Sequence, residues 1–209
     1  MRSGSMEARH ANAIESRRTA GECIGEIVPG MSIFAITRGQ WSMIDAVLYC
    51  IAEVPGPVRL SLWTWTIAQY EVECIDRLMR ESKIESATLI IDIAARSKNA
   101  DQCDSWAARF GDGTIRYCAN HAKIATIESA DGLKLLLRGS MNLNKNPRFE
   151  QFDLSEGGPG FDMIREIEEG LPLVDARGGR SAARAASGID DIWEQGELAV
   201  FGGIKAWGK

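Results

Sequence analysis

Residues 87–93, Ala-Thr-Leu-Ile-Ile-Asp-Ile, constrain the fold more than any other segment. A short, nearly continuous apolar run rich in β-branched residues fits a strand covered on both faces, as in parallel or partly parallel sheets. The segments before it supply the covering layers. Residues 32–37 read as a strand and Arg38-Gly39 as a turn. Over 40–53, Trp41, Ile44, Val47, Leu48 and Ile51 mark a largely buried helix that Pro55-Gly56-Pro57 stops. Residues 58–65 read as a second strand, and 67–81 as a helix through Val72, Ile75, Leu78 and Met79. This alternation predicts a layered α/β domain, a mixed β-sheet flanked by helices.

Downstream, residues 100–110 read as a further helix around Cys103, Trp106 and Phe110. Three closely spaced strands then follow at 114–118, 121–128 and 133–138, with Ala130-Asp131-Gly132 as the turn between the last two. Residues 149–154 read as an edge strand, and 161–169 as a helix after a glycine-rich break. Residues 1–21, polar and rich in Arg, Glu and Ser, are expected to form a flexible N-terminal arm. The domain is expected to span 22–176, and a Gly/Ala/Ser/Arg-rich linker 177–188. Residues 189–209 carry Ile192, Trp193, Leu198, Val200, Phe201, Ile204 and Trp207, and are expected to pack on the domain or a partner.

Charge and cysteine usage narrow the function classes. A formal net charge of -5 speaks against coating nucleic acid by bulk attraction, but leaves room for an enzyme with a locally positive cleft. The five cysteines lack metal-type spacing and form no regular disulfide framework, so a reducing, cytoplasmic setting is expected. No apolar run is long enough for stable membrane insertion, and the first residues lack a signal-peptide core. The glycine-rich stretches lack the context of a nucleotide loop, so no cofactor and no metal are expected.

The chemistry concentrates in two short clusters. His121 and Lys123, two apart on a predicted strand, share one face. Ser140 and Asn142 follow Gly139 at the end of the neighbouring predicted strand. An imidazole is a competent nucleophile toward phosphorus, while an ammonium and an amide stabilise the charge that builds on the phosphoryl oxygens.

His121-Ala-Lys123, Glu128 and Gly139-Ser140-Met141-Asn142 resemble the H-x-K-x4-D-x6-G-S-x-N signature of the phospholipase D superfamily, most closely its single-motif bacterial endonucleases. The preceding strand, helix and buried strand ending at Asp92 agree with that family's order. The resemblance implies a phospholipase D-like fold with one motif per chain. It implies His121 as the nucleophile forming a phosphohistidine, with Lys123 and Asn142 binding phosphate and Ser140 supporting them. Glu150 is the better candidate, and Glu156 the poorer, for the acid that orients the histidine. Trp63 and Trp65 fall where the family carries an aromatic loop, and Arg96 and Lys98 are candidate substrate contacts. Two departures stand out: Glu128 replaces the family's aspartate, and ten residues rather than six separate it from Gly139.

A single motif implies a homodimer with a shared active site on a twofold axis. The expected function is a metal-independent phosphodiesterase, a DNA or RNA endonuclease. The alternatives are an inactive nucleic-acid-binding or structural protein of the same fold, and a hydrolase of phospholipid or a small phosphodiester.

Overall fold

The computed structural model describes residues 17–173. Its centre is a seven-stranded mixed sheet in the order β1-β7-β6-β5-β2-β3-β4. The strands are β1 (Ser32–Thr37), β2 (Val58–Thr64), β3 (Ile84–Asp92), β4 (Ile115–Cys118), β5 (Ile124–Ser129), β6 (Lys134–Gly139) and β7 (Glu150–Glu156). The helices are α1 (residues 17–24), α2 (Met43–Glu53), α3 (Gln69–Arg80), α4 (Ala95–Lys98), α5 (Ala100–Phe110) and α6 (Pro159–Gly170). β2, β3 and β4 run parallel, and the remaining pairs are antiparallel. The fold is thus a mixed α/β sheet flanked by helices.

Strand alternation divides the core. Leu60, Leu62, Leu89, Ile91, Ala125, Ile127, Leu135, Leu137, Phe152 and Leu154 pack with α1, α2, α3 and α5 on one face. Trp63, Ile90, Cys118 and Leu136 pack with Phe161 and Ile164 of α6 on the other. Residues 87–93 owe their apolar run to this double cover: Leu89 and Ile91 meet one layer while Ile90 meets the other.

α6 is pinned by a buried carboxylate. Glu168 accepts hydrogen bonds from Ser61 Oγ, from Trp63 Nε1 at 2.7 Å and from Arg165 Nη1 at 2.7 Å. Arg116 Nη1 donates to the Glu168 carbonyl at 2.8 Å, tying the end of α6 to β4.

Several expectations change. β7 is interior rather than an edge strand: it lies between β1 and β6, and Phe152 and Leu154 are fully buried. The edge is β1, whose Phe34 and Ile36 are exposed, so apolar content alone misorders these strands. β4 pairs with β3 at the opposite edge. His121 and Lys123 precede β5 in an irregular link. Residues 17–21 fall within α1, whose Ala20 and Ile24 enter the core. Residues 1–16, the linker at 177–188 and the apolar segment 189–209 lie outside the described residues.

The first turn of α3 stores a pH dependence. Burial raises the Glu71 carboxyl from its ordinary 4.5 to about 7, despite the Ala68 N–H that donates to it at 2.6 Å. The folded chain therefore holds a proton there that the unfolded chain releases. This contribution to stability is full below about 4.5 and is lost as pH rises through about 7. Glu71→Gln keeps the acceptor and removes the titration. Urea unfolding is expected to show a flatter stability profile between these pH values, by on the order of 1–3 kcal/mol.

Candidate active site

The strand directions bring the candidate residues to one end of the strands. Trp63 of β2 pairs with Ile124, the first residue of β5, and Ile124 pairs with Arg138 near the end of β6. Gly139 pairs with Phe152 near the start of β7, and Thr37 ends β1 opposite Glu150. Asp92 and Cys118 end β3 and β4 side by side. Ligand contacts in α/β sheets gather at the carboxyl ends of the parallel strands.

His121 and Lys123 meet, although not through strand alternation. Lys123 is only 7 % exposed, whereas His121 is exposed. The Lys123 Nζ donates to the His121 carbonyl at 2.6 Å and lies 3.1 Å from His121 Nδ1. Burial lowers the Lys123 pKa, and the negative charges of Glu150 and Asp92 work against that fall. The Lys123 ammonium therefore touches the imidazole and feels the charges of two carboxylates at this end of the sheet.

The second cluster is built on backbone proximity. The Gly139 N–H donates to the Lys123 carbonyl at 3.1 Å, extending the β5–β6 ladder into the site. A side chain at Gly139 would place its Cβ 2.2 Å from the Gln151 carbonyl oxygen of β7, so glycine is required by that close approach. Gly139→Ala is expected to lower stability by about 1–3 kcal/mol, read as a fall in the denaturation midpoint. The Ser140 N–H donates to the Gln151 carbonyl at 3.1 Å, and Ser140 Oγ accepts the Gln151 N–H at 2.9 Å while donating to Glu150.

Glu150 is therefore at the site edge, with its hydrogen bond coming from Ser140 rather than from His121. Glu156 is at the other end of β7, where it accepts the Gly30 N–H at 2.7 Å. Asn142 is half-buried between buried Met141 and Leu143, and its buried Oδ1 has no partner.

The other candidates separate. Trp63 lies beneath α6 with its indole N–H on Glu168. Trp65 is half-buried beyond the end of β2, with Lys98 Nζ 4.7 Å from its ring centroid. Arg96 pairs with Asp104 at 2.7 Å. Glu128 sits at the far end of β5, opposite Lys134 and 3.4 Å from Arg59, well away from His121 along the strand. The added residues before Gly139 close a turn in which the Ser129 N–H donates to the Leu133 carbonyl at 2.9 Å. Both departures from the signature are thus accommodated at the end of the hairpin remote from the site.

One participant escaped sequence reasoning. Asn120, beside His121 and 5 % exposed, bonds to the ends of β2 and β3. Its only sequence signal is its place directly before the histidine. Among the described residues, no group of three or more His, Cys, Asp or Glu side chains is arranged to hold a metal ion. Also among them, no helix is long and apolar enough to cross a membrane.

No protein-family model matches the chain, and no curated protein matches it in sequence. Solved structures resemble it in fold. The phosphatidylserine synthase of Haemophilus influenzae aligns with a TM-score of 0.50 at 11 % identity, covering 94 % of this chain and 51 % of that one. Nuc of Salmonella typhimurium, described as a phospholipase D family member, aligns with a TM-score of 0.43 at 13 % identity, covering 66 % of this chain and 90 % of Nuc. A polyphosphate kinase of Porphyromonas gingivalis aligns with a TM-score of 0.46 at 11 % identity, covering 66 % of this chain and 26 % of the kinase. The chain thus spans about half the length of the synthase and about a quarter of the kinase. Its fold resembles that of the synthase.

Proposed function

We propose that this chain is a metal-independent phosphodiesterase that cuts DNA or RNA through a covalent phosphohistidine on His121, in a homodimer with a shared active site. The observation that carries the reading is the contact of the buried Lys123 ammonium with His121, 3.1 Å from Nδ1, at the end of the sheet that also presents Ser140 and Glu150.

In the first step a His121 nitrogen attacks phosphorus. A P–N bond forms, the P–O bond to the leaving nucleoside breaks, and the leaving oxygen takes a proton from His121 of the second copy. Water then attacks phosphorus, giving its proton back to that second imidazole as the P–N bond breaks. Lys123 and Asn142 hold the non-bridging oxygens, and Ser140, fixed by Glu150, supports them. With Lys123 donating to Nδ1, the ring proton resides on Nε2. Attack from Nε2 therefore requires Lys123 to pass from the ring to a phosphate oxygen as substrate arrives, and the ring proton to move from Nε2 to the vacated Nδ1 through water.

A phospholipid or small phosphodiester substrate is the second reading. It is favoured by exposed Ile36 and Phe149, which flank Thr37 and Glu150 at the site edge. Arg38 over the Phe149 ring, 5.5 Å from its centroid, adds a cation there.

The decisive assay follows plasmid, single-stranded DNA, RNA and phospholipid vesicles in excess EDTA. Cleavage of nucleic acid without added metal is expected. A requirement for Mg²⁺ overturns the mechanism, and turnover of lipid alone selects the second reading. Tight DNA binding with no turnover of any substrate assigns the chain to the binding class. Light scattering across concentrations is expected to give a dimer, and full activity in a strict monomer sinks the shared site.

A further inference from the structure

The backbone on both sides of His121 is held by one clasp. The Asn120 N–H donates to Asp92 Oδ2 at 3.0 Å, and Asn120 Oδ1 accepts the Ala122 N–H at 2.8 Å. This second bond closes an Asx-type turn with His121 at its tip. The Asn120 amide nitrogen anchors the turn to the sheet, donating to the carbonyls of Thr64 in β2 at 3.2 Å and Ile90 in β3 at 3.4 Å. Asp92 is fixed in turn, its Oδ1 accepting the Ala94 N–H at 2.7 Å. The turn then lets Lys123 reach back to the His121 carbonyl at 2.6 Å.

Neutral surface turns do not need a side chain 5 % exposed with three such bonds. The buried amide links the ends of two core strands to a single exposed imidazole. We infer that Asn120 and Asp92 are positioning residues, which hold His121 and Lys123 in register for a phosphate group. Asn120 acts on the direction of the imidazole. Asp92, together with Glu150, supplies negative charge that favours the charged form of Lys123. The inference rests on the phosphodiesterase reading for its substrate but not for its geometry.

The test uses the full chain with Asn120→Ala, Asn120→Ser and Asp92→Asn. Thermal unfolding establishes that each variant is folded. Inorganic phosphate is titrated while the His121 ring signals are followed by NMR, and these are told from those of His10 by their loss in His121→Ala. Where DNA is cleaved, kcat and KM are measured separately. Asn120→Ala is expected to displace the His121 signals, to weaken phosphate binding at least tenfold and to lower kcat more than it raises KM. Asn120→Ser, which keeps an oxygen for the Ala122 N–H, is expected to recover part of each effect. Asp92→Asn keeps the shape but sets an amide against the Asn120 N–H or the Ala94 N–H, and carries the test if Asn120→Ala does not fold.

Folded variants with native His121 signals overturn the inference, whether or not phosphate binds to the parent chain. Displaced signals in a chain that cleaves no phosphodiester support the clasp and overturn the nuclease reading instead. Normal cleavage by folded Asn120→Ala does the reverse.

Discussion

Replacing His121 by alanine is expected to abolish cleavage, with a loss of at least about 10⁴-fold in kcat, in a protein that unfolds at nearly the parent temperature. The two halves of this result have separate physical causes. The imidazole is exposed, and among the described residues its hydrogen-bonding contact is with Lys123, so truncation leaves no cavity in the core. The chemical step, in the proposed mechanism, loses the atom that bonds to phosphorus. Acid quenching of a labelled substrate should trap an acid-labile phosphoryl group on the parent chain and none on His121→Ala. Cleavage that survives the substitution, or a phosphoryl group trapped on another residue, removes His121 as the nucleophile.

Lys123→Met is expected to cost about 10²- to 10³-fold in kcat/KM, the scale of losing one fixed donor to the transition-state charge. Methionine keeps the length of the buried stem, so the packing of a residue 7 % exposed is largely preserved. The same substitution has a signature in stability. Burial holds the Lys123 pKa below its ordinary 10.5, with Glu150 and Asp92 opposing. Between the folded value and 10.5 the unfolded chain binds more protons than the folded one, so this residue makes stability rise with pH across that window. Below the window the penalty of the buried ammonium is present in full. Urea unfolding of parent and Lys123→Met should therefore show the parent gaining stability relative to the variant as pH climbs toward 10.5. A pH-independent difference shows that Lys123 is solvated in solution.

Layer order and the candidate site residues were both readable from the sequence, for different reasons. The apolar run at 87–93 and the helical spacing of Ile44, Val47, Leu48 and Ile51 follow from burial, which local patterns record directly. The motif residues are legible because few residue types can attack phosphorus and neutralise its oxygens. Strand order was not legible. The strands at 32–37 and 149–154 both carry apolar residues, yet only β1 is at the edge, because antiparallel pairing lets the chain return between β1 and β6. Trp63 shows the same limit at the level of one side chain. Its place near the end of an apolar strand suits a cleft, but the indole N–H finds Glu168 on α6, more than a hundred residues later.

By itself the sequence determined that this chain builds a layered α/β domain and carries a histidine–lysine pair and a Gly-Ser-Met-Asn loop. Local periodicity and side-chain chemistry are properties of short segments, and no partner is needed to express them. Tertiary structure alone decided how those groups meet. His121 and Lys123 converge through an irregular turn rather than a strand face, because Asn120 and Asp92 tie that turn to the ends of β2 and β3. Gly139 is essential because the β7 backbone passes where its side chain would be. Such contacts depend on long-range pairing, which no short window of residues contains.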